Sequence, residues 1–257
     1  MPISTPDLLT QALAIDGLAW VALAAFVAGI VRGFSGFGTA LIYLPIAAQV
    51  MPPLWAIVSL AGLDIIAPSV HIPAALRNGH KRDLLRLMIG VVLMLPVGLW
   101  LLTRTDPSIF RYLVSVLSIG MLAVLLLGFR YRGTVTGPMV YGIGGAGGLL
   151  GGAAGLPGPP VILFYMASPH GPSVIRANTS AYLFFYDILL VVVLLILGQF
   201  DPAPFVLGLM LSIPAMAGNL LGGWLFHPRY ERLYRGVAYL IIACAAVSGL
   251  PFLSGGG

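Results

Sequence analysis

Long apolar runs separated by short polar loops dominate the chain. The runs at Leu54–Leu76, Leu84–Leu102, Ile109–Phe129, Ala177–Leu197, Pro204–Phe226 and Leu233–Leu250 predict six spans, since each approaches the roughly 20 residues a helix needs to cross a bilayer. Two stretches break this pattern. RGFSGFGTALIYLP (Arg32–Pro45) and GGAAGLPGPPVILFY (Gly151–Tyr165) set glycines, prolines and polar side chains into apolar sequence. Around the first, the apolar pieces are Leu18–Val31 and Thr39–Val50. Pieces of about 13 residues reach only about 20 Å as helix, short of a hydrocarbon core of about 30 Å. They are expected either to join as one bent span or to fold as a hairpin dipping into the membrane.

Shifted by about 119 residues, the chain partly matches itself, the mark of an internal repeat. Gly29, Gly33 and Gly36 fall on Gly148, Gly152 and Gly155, and MPPLWAIVSL lies over HGPSVIRANTS with Pro53 on Pro172. After a one-residue adjustment Gly90 and Pro96 meet Gly208 and Pro214. Two halves result, 17–129 and 137–253. Charge decides between hairpin and bent span. If each glycine-rich stretch is a hairpin, each half crosses an odd number of times and the second half is inverted. Arg77, Lys81, Arg82, Arg86, Arg130, Arg132, Arg176, Arg229, Arg232 and Arg235 then share one side, Arg104 and Arg111 lie opposite, and Arg32 is within the membrane. Single spans would divide the same residues six against six, so the positive-inside tendency favours hairpins, with both termini non-cytoplasmic. The expected fold is an all-α polytopic membrane protein of two inverted-topology repeats, each a glycine-broken helical hairpin followed by three transmembrane helices.

Composition agrees and excludes several function classes. Of 257 residues, 59% are hydrophobic and 8% charged, against roughly 25% charged in a soluble domain. The net charge of +5 comes from loop residues flanking spans, so nucleic acid is not an expected partner; the lipid bilayer is. Short loops leave no room for a nucleotide-binding domain and GxxxxGK[ST] is absent, so ATP is not the expected energy source. HExxH and GxSxG are absent too, which argues against an enzyme. The N-terminal segment lacks the basic region and small-residue cleavage site of a signal peptide. Cys244 is the only cysteine, which rules out an intrachain disulfide and a cysteine-rich metal cluster; it is expected to be a small buried packing residue. No cofactor or metal is called for. Trp20, Trp55, Trp100 and Trp224 fall near span ends, where indoles anchor at the interface.

Irregular backbone at membrane depth is tolerated only where protein shields it or it lines a wet cavity, because unpaired peptide groups in hydrocarbon cost several kcal/mol. With inverted repeats the two glycine-rich tips meet near the midplane. Helices starting near Thr39 and Pro159 then point free N–H groups at that place, which attracts anions. Arg32 adds charge-assisted hydrogen bonds, and Ser35 and Thr39 add hydroxyls. The candidate binding residues are Arg32, Ser35, Gly36, Phe37, Gly38 and Thr39 at the first tip and Gly155, Leu156, Pro157 and Gly158 at the second, joined by Asn178 and Thr179. Asn178, Thr179 and Ser180 either line an inner entrance or cap their helix. The glycines at 29, 33, 144, 148 and 152 also form small-xxx-small spacings that let helices approach closely. An intramembrane arginine costs at least about 2.5 kcal/mol on insertion scales and usually faces a functional cavity; pairing with an aspartate is the structural alternative. Asp64 and Asp187 lie near the centres of their spans and are candidates for loading and releasing a proton, or for packing and charge neutralisation. His71 is expected to be interfacial.

These residues resemble the sulfite exporter family labelled TauE/SafE. The likeness rests on RGFSGFGTALIYLP with PPLWAIVSLAGLDIIAPSVHIPAALRNGHKRD, then on GGLLGGAAGLPGPPVILFYM with RANTSAYLFFYDILLVVVLLILGQFD. The resemblance implies a secondary transporter, and an exporter, of sulfite, sulfoacetate, other sulfonates or related small organic anions in a bacterial inner membrane. The tips here read GFGTA and GLPGPP, where much of the family has GxGGG. A passive small-anion channel and a transporter of small carboxylates are the alternatives; a proton gradient that drives accumulation separates a coupled transporter from a channel.

Overall fold

A computed structural model describes residues 10–35, 38–69, 72–127, 136–167, 172–225, 227, 229 and 231–250, and among these the chain is helical with no strand. After a helical turn at 10–13, the described residues form α1 (Leu18–Ser35), α2 (Thr39–Val50), α3 (Pro53–Ser69), α4 (Ile72–Asn78), α5 (Lys81–Arg104), α6 (Pro107–Leu127), α7 (Gly137–Ala154), α8 (Gly158–Ala167), α9 (Pro172–Ile196), α10 (Pro202–Leu225) and α11 (Glu231–Ser248). Four of them, in α5, α6, α9 and α10, are long and apolar enough to cross a membrane. Exposed Leu85 and Leu93 on α5, and Ile213 and Leu220 on α10, give these helices the apolar outer faces of an integral membrane protein. Near helix ends Trp20, Trp100 and Trp224 are exposed, and the Arg104 guanidinium lies over the Trp100 ring at 5.3 Å.

Expected helix bounds change at two places in the first half of the sequence. The span Leu54–Leu76 is two helices, α3 and α4, on either side of residues 70 and 71, which lie outside the described residues. Pro68 withholds a backbone donor near the end of α3, and Pro73 stands in the first turn of α4, where a missing N–H costs nothing. The first piece of the broken hairpin does not stop at Val31. It continues through Arg32 and Gly33 to Ser35, giving 18 residues, about 27 Å of helix.

The glycine-rich stretches fold as hairpins. A Cβ on Gly17, just before α1, would stand 2.9 Å from Val50 Cγ1 at the end of α2, so the two arms return to one place. In the second hairpin, α7 ends at Gly155 with φ 68°, and its N–H bonds to the Gly151 carbonyl at 2.8 Å. The chain then folds back, because a Cβ on Gly147, two turns earlier in α7, would stand 3.0 Å from the Pro157 carbonyl oxygen.

The chain divides into two compact units, each drawing on both sequence halves: Met1–Leu63 with Asp106–Ala123 and Asp201–Gly257, and Asp64–Thr105 with Val124–Phe200. In the first, α1 packs on α10, and α2 packs on α1 and α11. Glycines set the α1–α10 spacing: a Cβ at Gly29 would overlap the Ala215 carbonyl, one at Gly33 that of Asn219, and one at Gly222 that of Ile30. Such contact substitutes van der Waals packing for a hydrophobic drive that lipid does not provide. Tyr43, fully buried on α2, shares a 2.8 Å hydrogen bond with Ser59 of α3.

In the second unit α5 packs on α7, α8 on α7 and α9, and α9 on α4 and α5. Here a Cβ at Gly144 would overlap the Leu87 carbonyl, while one at Gly148 would stand 2.9 Å from Val91 Cα and one at Gly152 2.7 Å from the Leu95 carbonyl oxygen. The long arm of each hairpin thus pairs with a helix from the other sequence half. Cys244, expected to be buried, is exposed. On α11 the inward face carries Ala238, Ile242, Ala245 and Ala246, and the helical period turns position 244 away from them.

Candidate functional site

The tip of the first hairpin joins the last turn of α1 to the first turn of α2. Gly38 is the N-cap of α2 at φ 102°, a left-handed conformation that glycine alone adopts without strain, and as a glycine it offers no side chain to cap the helix. A side chain at 38 would still meet only ordinary contacts, the nearest at 3.6 Å to Val31, so φ rather than space demands glycine. Arg32 lies in the last turn of α1, where a cation complements the carbonyl end of the helix. Its Nη1 donates to Thr39 Oγ1 at 3.2 Å across the break, and Thr39 is buried. A guanidinium is thereby held beside the positive N-terminal end of α2, a combination suited to an oxyanion. Ser35 closes α1; its side chain, with Gly36, Phe37 and His71, lies outside the described residues.

In the second unit Gly155, Leu156 and Pro157 form the turn between α7 and α8, and Leu156 is buried. The Tyr182 hydroxyl donates to the Pro157 carbonyl at 3.4 Å. Gly158 opens α8, a helix of 10 residues. Asn178 and Thr179 are not at a helix start, because α9 begins at Pro172; neither can be its N-cap. Asn178 is instead buried and accepts the backbone N–H of His80 at 2.9 Å, fastening the residue that precedes α5. Asp187 is buried on α9. Asp64 is half-buried on α3.

Several polar groups are not singled out by sequence pattern. Asp83 is buried in the first turn of α5 and takes His80 Nδ1 at 2.8 Å and Arg86 Nη1 at 3.7 Å. Tyr182 and Tyr186 are buried a turn apart on α9, against Gly147 and Gly151 of α7. Their signal is legible in principle: bulky residues at i and i+4 on one helix facing glycines at i and i+4 on another. Among the described residues, no cluster of His, Cys, Asp and Glu has the makings of a metal site.

No curated protein and no solved structure shows a significant similarity to the chain. The family model described as "Sulfite exporter TauE/SafE" matches residues 21–249. That match takes in both hairpin tips and every helix from α2 to α11, and the chain belongs to the TauE/SafE sulfite exporter family, a family of transmembrane transporters.

Proposed function

We propose that the protein is a proton-linked secondary transporter that exports small organosulfur or related organic anions, such as sulfite, sulfoacetate or other sulfonates, by alternating access around a site at mid-membrane depth. The bilayer in this proposal is a bacterial inner membrane, crossed by two inverted repeats with both termini non-cytoplasmic. The observation that carries the proposal is the hydrogen bond from Arg32 to Thr39 across the first tip. A cation in the membrane is costly, and a guanidinium beside a helix N-terminus makes a positive place that attracts an anion. Arg32, Thr39 and the first N–H groups of α2 supply donors to the oxygens. The planar guanidinium fork matches the paired oxygens of a sulfonate, sulfite or carboxylate head. Asp64 and Asp187 are the proposed proton carriers.

Thermal stabilisation of the purified protein tests this directly. A ligand that binds only the folded state raises its apparent stability. Sulfite or a sulfonate should raise Tm in a saturable way where chloride at equal ionic strength does not; uniform responses to all anions would defeat the proposal.

A further inference from the structure

Tyr186 carries a hydroxyl that the packing of its unit leaves unused. Its side chain is 2% exposed, yet the oxygen has no hydrogen-bond partner among the described residues. A buried hydroxyl left unsatisfied is destabilising, and phenylalanine would fill the same space without that cost. Tyr182, one turn earlier, differs, because its hydroxyl reaches the Pro157 carbonyl and so positions the turn between α7 and α8.

The location of the unused group is informative. A Cβ on Gly151, in the last turn of α7, would stand 2.6 Å from Tyr186 Cε2 and Cζ, with the hydroxyl as close. The ring therefore fills the space a side chain at 151 would take. By the shift of about 119 residues, Gly151 corresponds to Arg32 and Tyr186 to Ala67. One half carries a long polar side chain on the hairpin and a small residue on the following helix; the other half carries the reverse. In both, a polar group is delivered to the last turn before the tip.

We propose that the Tyr186 hydroxyl is a substrate-contacting donor to the transported oxyanion, giving the second hairpin what Arg32 gives the first. This rests on the anion-transport proposal above. Asp187, a proton carrier in that proposal, is adjacent in the chain and also buried on α9.

The test compares purified wild type, Tyr186→Phe and Tyr182→Phe by sulfite Kd and by Tm without ligand. Tyr186→Phe should keep or raise Tm while weakening sulfite binding about tenfold or more, the loss expected for a hydrogen bond to a charged group. Tyr182→Phe, which loses a bond already made, should lower Tm. Equal sulfite Kd in wild type and Tyr186→Phe would overturn the inference and leave the transport proposal standing. A Tm loss or failure to fold in Tyr186→Phe would overturn it too, by making the hydroxyl structural. If wild type binds neither sulfite, methanesulfonate nor acetate, the transport proposal falls and this inference with it.

Discussion

Arg32 and Thr39, seven residues apart, meet across a helix break, Nη1 donating to Oγ1 at 3.2 Å. The pair fixes a guanidinium at the start of α2. If this guanidinium holds the anion, Arg32→Ala should weaken sulfite binding by roughly 2–5 kcal/mol. Arg32→Lys, which keeps the charge and loses the fork, should fall between wild type and Ala. Thr39→Val should weaken binding by about 1 kcal/mol through looser positioning of the guanidinium. Calorimetric titration at matched folded fraction checks the order; equal affinities in all four proteins would assign Arg32 to the scaffold.

Asn178 is a candidate ligand by sequence, but its Oδ1 takes the His80 N–H. Replacing it by Ala leaves that donor unpaired, at a cost of about 1–3 kcal/mol in stability. Asn178→Ala should therefore lower Tm while folded protein keeps its sulfite Kd. A normal Tm with lost affinity would return Asn178 to the binding site.

Glycines at the helix contacts make a graded prediction. Gly148→Ala and Gly218→Ala place a methyl against Val91 of α5 or the Phe26 carbonyl of α1, which should cost about 1–3 kcal/mol or more by overpacking. Gly120→Ala, with nothing within 4 Å of its added Cβ, should be neutral or slightly stabilising. Denaturation midpoints in detergent check the contrast, and similar midpoints for all three variants would show that these contacts do not set the spacing.

Hydropathy makes the membrane class and most helix positions legible, because lipid imposes length and apolarity on every span. The broken hairpins are legible as well, since glycine and proline interrupt otherwise apolar runs and stop a helix there. Period and polarity fix less elsewhere. The division of 54–76 into α3 and α4 depends on two prolines inside an apolar run, which hydropathy does not register. Cys244 reads as buried by residue type, but its face of α11 is decided by tertiary packing. Tyr186 is legible only together with Gly151, a residue remote in sequence that packing brings against its ring.

In the proposed mechanism proton coupling falls to Asp64 or Asp187. Asp→Asn removes the titrating group and nearly preserves the shape. The responsible single variant should lose proton-driven transport and keep anion exchange down a concentration gradient, measured by counterflow of labelled sulfite. Unchanged proton dependence in both single variants and in the double variant would remove these residues from the mechanism.

The most direct measurement is sulfite flux in proteoliposomes of the purified protein under an imposed pH gradient. The account predicts that sulfite moves against its own concentration gradient, that a protonophore abolishes this uphill movement, and that Arg32→Ala does not support it. Flux that only runs downhill and ignores the pH gradient would contradict the account and identify a passive anion channel.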